Sequence, residues 1–187
     1  MTARSDEASS PQAAMPQSRS GQDVVISRLI AAPRALVFKA WTDPDHLRHW
    51  WGPRDFTIPV CEIDPRPNGT YRLVMRAPDG TDYPMSGIVL AVVEPERIVW
   101  TIALEDHPPQ WHAQLARLRE KNGAGPPLHQ PVMTATFEEA AGGTRLTITT
   151  RFESVAERNA FAEMGMVAGW NESLDRLEAE MRRMQEQ

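Results

Sequence analysis

The sequence predicts a two-layer α+β fold: one antiparallel sheet of about seven strands, a helix pair inserted after the first strand, and a long amphipathic C-terminal helix. Three observations lead there. Turn dipeptides that tolerate positive φ, Asn68-Gly69 and Asp79-Gly80, with Gly142-Gly143 later, separate runs of alternating apolar residues, and consecutive hairpins make an antiparallel sheet. Pro33 and Pro44 each open a short stretch with helical apolar spacing. Near the C-terminus Phe161, Met164, Val167, Trp170, Leu174, Leu177 and Met181 recur at the spacing of one helix face.

Taken in order, residues 1–21 are rich in Ser, Ala, Gln and Pro and read as a disordered N-terminal tail, followed by a single domain over 22–187. The β-branched run 23–31 is the first strand. Leu36, Val37, Ala40 and Trp41 then mark a helix that must stop at Asp43-Pro44. There Asp43 caps a second short helix, which Gly52-Pro53 ends. Strands follow over 56–64, 70–76, 81–93, 98–104, 131–139 and 144–152, with alternation clear in Tyr71, Leu73 and Met75, in Ile98, Trp100 and Ile102, and in Leu146, Ile148, Thr150 and Phe152. An insertion over 105–130, with a short helix near 110–121, interrupts them as a lid, a binding loop or a disordered insertion that either covers the pocket entrance or decorates the surface. Ser154 and Glu157 form a capping box for a helix reaching about residue 184, roughly 45 Å long at 1.5 Å per residue. Gly165 and Gly169 lie inside it, either to admit a close neighbour or as a tolerated kink.

Composition excludes several classes of function. With 25 acidic against 20 basic residues and no basic run, the chain lacks the electrostatic footprint of a nucleic-acid binder. No apolar run approaches a membrane span and no signal pattern opens the chain, so a cytoplasmic location is expected. One cysteine, Cys61, excludes an internal disulfide and reads as a buried strand residue. Neither G-x-G-x-x-G nor a P-loop occurs, so no nucleotide cofactor and no intrinsic ATPase are expected.

Several stretches, in this order, carry a resemblance: APRALVFKAWTDPDHLRHWWGP, EIDPRPNGTYRLVMR, PMSGIVLAVVEPERIVWT, MTATFEEAAGGTRLTIT and GMVAGWNESLDRLEAEM. Together they resemble the START-like, or SRPBCC, superfamily, and within it the AHSA-type branch named after the C-terminal domain of the activator of 90-kDa heat-shock-protein ATPase. The resemblance spans residues 24–181. It implies a helix-grip (START-like, Bet v-like) fold, a curved sheet around the long helix with a cavity between them. Proteins of this kind include hydrophobic-ligand carriers, polyketide cyclases and dehydratases, stress-related domains and co-chaperones, so the fold alone does not assign an activity. Mapped onto this chain, the walls draw on Trp50, Trp51 and Phe56 near the mouth, Tyr71, Leu73, Met75, Met85 and Trp100 from the sheet, and Met164, Ala168 and Trp170 from the helix. Alternation sets which strand face looks inward, and a one-residue shift reverses it. Being adjacent, Trp50 and Trp51 are expected to diverge, one facing the pocket and one the rim or the insertion, with core packing as the alternative.

Metal ligation by His46 and His49 is disfavoured, because neither an H-E-x-x-H pattern nor a clear third ligand accompanies them; no metal site is expected. Glu62, Asp64, Asp82 and Glu105 are acid-base candidates by strand position alone, and no catalytic constellation emerges. The leading expectation is binding of an apolar or aromatic small molecule in the cavity. The alternatives are a cyclase, dehydratase or hydrolase using a buried acid or base, and a co-chaperone-like module with a protein partner.

Overall fold

Residues 21–186 are described by the computed structural model, in the order β1 (Asp23–Ile30), α1 (Arg34–Thr42), α2 (Pro44–Trp50), β2 (Thr57–Ile63), β3 (Thr70–Arg76), β4 (Asp82–Val93), β5 (Arg97–Thr101), α3 (Pro109–Asn122), β6 (Val132–Ala140), β7 (Gly143–Arg151), α4 (Val155–Glu163) and α5 (Met166–Gln185). The tail expected over 1–21 lies, apart from Gly21, outside the described residues. The sheet runs β1-β7-β6-β5-β4-β3-β2, every neighbour antiparallel. From β2 to β7 it grows in chain order, by hairpins except between β5 and β6, where α3 intervenes. The helix pair carries the chain away after β1, which therefore lies on the outer side of β7, with Ile26 opposite Ile148.

Strand β4 bends the sheet. Its first half pairs with β3 from Asp82 to Ile88 and its second half with β5 from Val89 to Val93, with a register irregularity between Val89 and Ala91. A bulge of this kind increases local twist and coils the sheet around what it covers. Gly87 sits at the bend because nothing larger fits: an added Cβ would lie 2.1 Å from the Thr101 carbonyl oxygen and 2.8 Å from the Tyr71 ring. Tyr71, opposite Gly87, reaches past it and donates its hydroxyl to the Thr101 carbonyl at 2.7 Å.

The helix pair forms as its prolines and cap require. Asp43 accepts the Asp45 N–H at 2.9 Å and Pro44 fills the first turn of α2, where its missing N–H costs nothing. Helix α1 buries Val37, Phe38, Ala40 and Trp41. Trp41, fully buried, is the hub of an aromatic cluster, with ring centroids 5.0 Å from Trp50, 5.8 Å from Trp51, 5.9 Å from Trp100, 5.7 Å from Phe137 and 6.0 Å from Trp170.

The C-terminal helix differs from the sequence expectation in two ways. It is two helices, α4 and α5, separated at Gly165, whose φ of 93° is left-handed and interrupts the ladder. The capping box is half formed: Ser154 accepts the Glu157 N–H at 3.0 Å, while the Glu157 carboxylate turns to Arg119. That pairing draws it away from the Ser154 backbone.

Candidate functional site

A cavity of ≈ 260 Å³, partly open to solvent, lies between the inner face of the sheet and α4–α5. The sheet contributes Met75, Met85 and Met133 with Thr150 and Phe152, and the helices contribute Phe161, Met164, Met166 and Trp170. The α4–α5 break aims the upper wall. Met166, Gly169, Trp170 and Ser173 are spaced one, four, five and eight along α5, which places them on one face over the cavity. Gly165 lines the cavity and is also exposed, so the break is where the cavity meets solvent.

Of the eleven candidates, Trp51, Met75, Met85, Met164 and Trp170 line this cavity; the other six lie elsewhere for local reasons. Trp50 points into the core and donates its indole N–H to the Ala40 carbonyl at 2.9 Å, because α2 ends there and Trp51 turns to extended backbone with ψ 140°. Its partner is therefore neither rim nor insertion but the core itself. Trp100 stacks beneath Trp41, and Leu73 is buried in the same core. Tyr71 is diverted across Gly87, its ring 5.1 Å from Trp100, and burial pushes its phenol pKa well above the ordinary 10. Phe56 leans on Tyr83 at 6.0 Å, outside the lining. Ala168 is exposed: two residues on from Met166, it lies on the opposite side of α5. Sequence reasoning did not assign Met133, Thr150, Phe152 or Phe161 to the wall, although alternation and helical spacing mark all four as inward. Nor did it assign Trp111, for which the insertion offered no signal.

The insertion is anchored to the fold. Helix α3 buries Leu115, and Arg119 grips the nearly buried Glu157 of α4 with paired contacts at 2.8 Å and 3.1 Å from Nε, plus a further bond from Nη2. Lys121 reaches Glu163 at 2.7 Å. So held, α3 sets Trp111 in the cavity wall. Opposite it, Arg176 of α5 donates to the carbonyls of His49, Trp51, Gly52 and Pro53 at 2.8–3.2 Å, fixing the loop that carries Trp51.

Residues 31–182 match the family model described as Activator of Hsp90 ATPase homolog 1-like protein. The chain belongs to that family. Solved structures share its fold, the START-like helix grip. Protein NE0264 from Nitrosomonas europaea is 26% identical with a TM-score of 0.73, over 90% of this chain and 99% of that one. Protein CV1439 from Chromobacterium violaceum is 25% identical with a TM-score of 0.63, over 84% and 96%. Protein Ms6760 from Mycobacterium smegmatis is 24% identical with a TM-score of 0.69, over 88% and 93%. No curated protein matches the chain.

Among the described residues the titratable groups stand outside the cavity lining. His107 is buried, with Nδ1 2.8 Å from the Pro84 carbonyl, which as an acceptor requires the proton on that nitrogen; burial lowers its pKa to about 4. His46 faces a carboxylate: its Nδ1 lies 3.0 Å from the buried Glu180, which also accepts from Arg183. Burial alone would raise the Glu180 pKa, yet Arg183 and His46 together hold it below its ordinary value. Cys61 is buried and its thiol is pushed up to about 11 by that burial, leaving little nucleophilic thiolate. Asp64 pairs with Arg66 and Asp82 with Arg76 on the surface. Among the described residues no group of three or more His, Cys, Asp or Glu is placed to hold a metal ion, and no helix is long and apolar enough to cross a membrane.

Proposed function

We propose that this protein binds an apolar or aromatic small molecule in the cavity between the sheet and α4–α5. The composition of the lining carries the reading. It contains no titratable side chain among the described residues, and it gathers five of the nine methionines of the chain: Met75, Met85, Met133, Met164 and Met166. Methionine is flexible and polarizable, suited to repacking around an aromatic guest, while the rings of Trp51, Trp111 and Trp170 supply broad apolar contact. A volume of ≈ 260 Å³ sits just below the roughly 300 Å³ at which drug-sized pockets begin, so the guest is small. Acid-base turnover has less support, because the buried His107 spends its proton on Pro84 and no carboxylate among the described residues lines the cavity. The reading includes a cytoplasmic location and residues 22–187 acting as one unit.

Native mass spectrometry on gently purified protein tests it, alongside Gly169→Leu. An added Cβ at Gly169 meets only Pro53 at 3.8 Å, so the remaining side chain extends into the cavity. The expected result is a discrete small-molecule adduct on the unsubstituted protein that disappears on denaturation and is absent from the variant. Equal adduct on both proteins, or none on either, refutes cavity binding.

A further inference from the structure

Two threonines stand on the inward face of β7 among apolar neighbours, and both are buried, at 0% and 1% exposure for Thr144 and Thr150. They differ in one respect. Thr144 donates its hydroxyl to the Ala32 carbonyl at 2.7 Å. Thr150 lines the cavity, and its Oγ1 finds no hydrogen-bonding group among the described residues. A valine would fill the same space without the cost of a desolvated hydroxyl. Water is a poor substitute there, since an ordered water needs two to four polar partners. The other lining hydroxyl, Ser173, is already donating to the Gly169 carbonyl at 2.9 Å, and the remaining lining side chains are apolar apart from the indole N–H groups of Trp51, Trp111 and Trp170, which only donate.

We infer that Thr150 is the specificity-determining hydrogen-bonding residue of the cavity, and that its ligand is an uncharged ring compound bearing a hydroxyl or carbonyl group. The inference rests on the binding function proposed above. Charge is disfavoured by a lining that, among the described residues, holds no ionic side chain to pair with it. A hydroxyl or carbonyl is favoured because the threonine hydroxyl can donate and accept, so it serves either group. The Thr150 position, on the floor and opposite the α5 wall, puts the polar end of the guest against the sheet and its apolar body against Trp170 and the methionines.

The test uses 2-naphthol and 2-methylnaphthalene, which share a skeleton and differ by a hydroxyl against a methyl group. Both are titrated by equilibrium dialysis into the full chain, Thr150→Val and Thr150→Ser. Thr150→Val is expected to weaken 2-naphthol binding about tenfold, the loss of one buried hydrogen bond, while leaving 2-methylnaphthalene unchanged or slightly tighter. Thr150→Ser keeps the hydroxyl and is expected to keep the preference. If both probes bind and their affinity ratio is the same in all three proteins, the role of Thr150 is overturned while cavity binding stands. If neither probe binds the unsubstituted protein, the binding function itself fails for this ligand class, and the inference falls with it.

Discussion

Acidification between pH 6.5 and 4 is expected to weaken the fold through one side chain, His107. Its ring is 7% exposed, lies 4.4 Å from Trp111 and 5.6 Å from Tyr83, and donates to Pro84; burial takes its pKa from an ordinary 6.5 to about 4. The hydrogen bond to Pro84 works against that burial, while of the nearby charges His112 pushes in the same direction as burial and Asp106 against it. Within that window the unfolded chain holds more protons on this imidazole than the folded one, so stability rises with pH across it. The contribution is complete above about pH 6.5 and gone near pH 4. A gap of about 2.5 pH units at about 1.36 kcal/mol per unit makes it roughly 3 kcal/mol. Urea unfolding at pH 7, 5.5, 4.5 and 4, on the natural protein and His107→Asn, reads it directly. Asparagine retains a donor toward Pro84 but does not titrate, so carboxylates shifted at lower pH cancel in the difference. The stability advantage of the natural protein over the variant should shrink by about 3 kcal/mol from pH 7 to pH 4. Parallel curves would refute the argument.

The two glycines beside the cavity should respond oppositely to alanine. Gly165→Ala forces a side chain into φ 93° and is expected to cost about 1–2 kcal/mol, whereas Gly169→Ala, in open helical space, should gain up to about 1 kcal/mol. Thermal unfolding shifts of the same sign would sink that assignment. Arg119→Met leaves the carboxylate of Glu157, 4% exposed, without its partner and is expected to cost about 3 kcal/mol, most of it recovered by adding Glu157→Leu. A single-variant cost below about 1 kcal/mol in denaturant unfolding would class the pair with ordinary surface bridges.

The sheet was legible in the sequence because its signals are local. Asn68 takes φ 65° and Gly80 φ 87°, the conformations their dipeptides announce, and β3 between them alternates as far as Leu73, after which Val74 is buried as well. The helix pair was legible for the same reason, through Asp43 and Pro44. What escaped depends on contacts distant in the chain. Apolar spacing continues across Gly165 as though one helix ran through, yet the chain breaks there, and both Val167, which the spacing puts on the apolar face, and Ala168, which the resemblance puts in the wall, are exposed. Tyr71 follows the inward alternation, but the space opened by Gly87 on the neighbouring strand decides where its hydroxyl goes. Glu157 satisfies a capping pattern locally and is claimed by an arginine 38 positions earlier. Trp111 sits in a segment without sheet periodicity, and its place in the wall follows from how Arg119 and Leu115 seat α3.

The pairing of β1 with β7 sets an order of events during synthesis. Asp23 meets Arg151 after 128 positions, so the strand made first finds its hydrogen-bonding partner last. At 5–20 residues per second that wait is on the order of 10 s. Throughout it Val24, Ile26 and Ile30, all buried in the finished protein, have neither the neighbouring strand nor the C-terminal helix to cover them. Closure of this pair comes late and carries the entropy of a long loop. A nascent chain that stalls before β7 carries an unpaired strand with one apolar face, the kind of surface that holding chaperones bind and that neighbouring ribosomes' products aggregate upon.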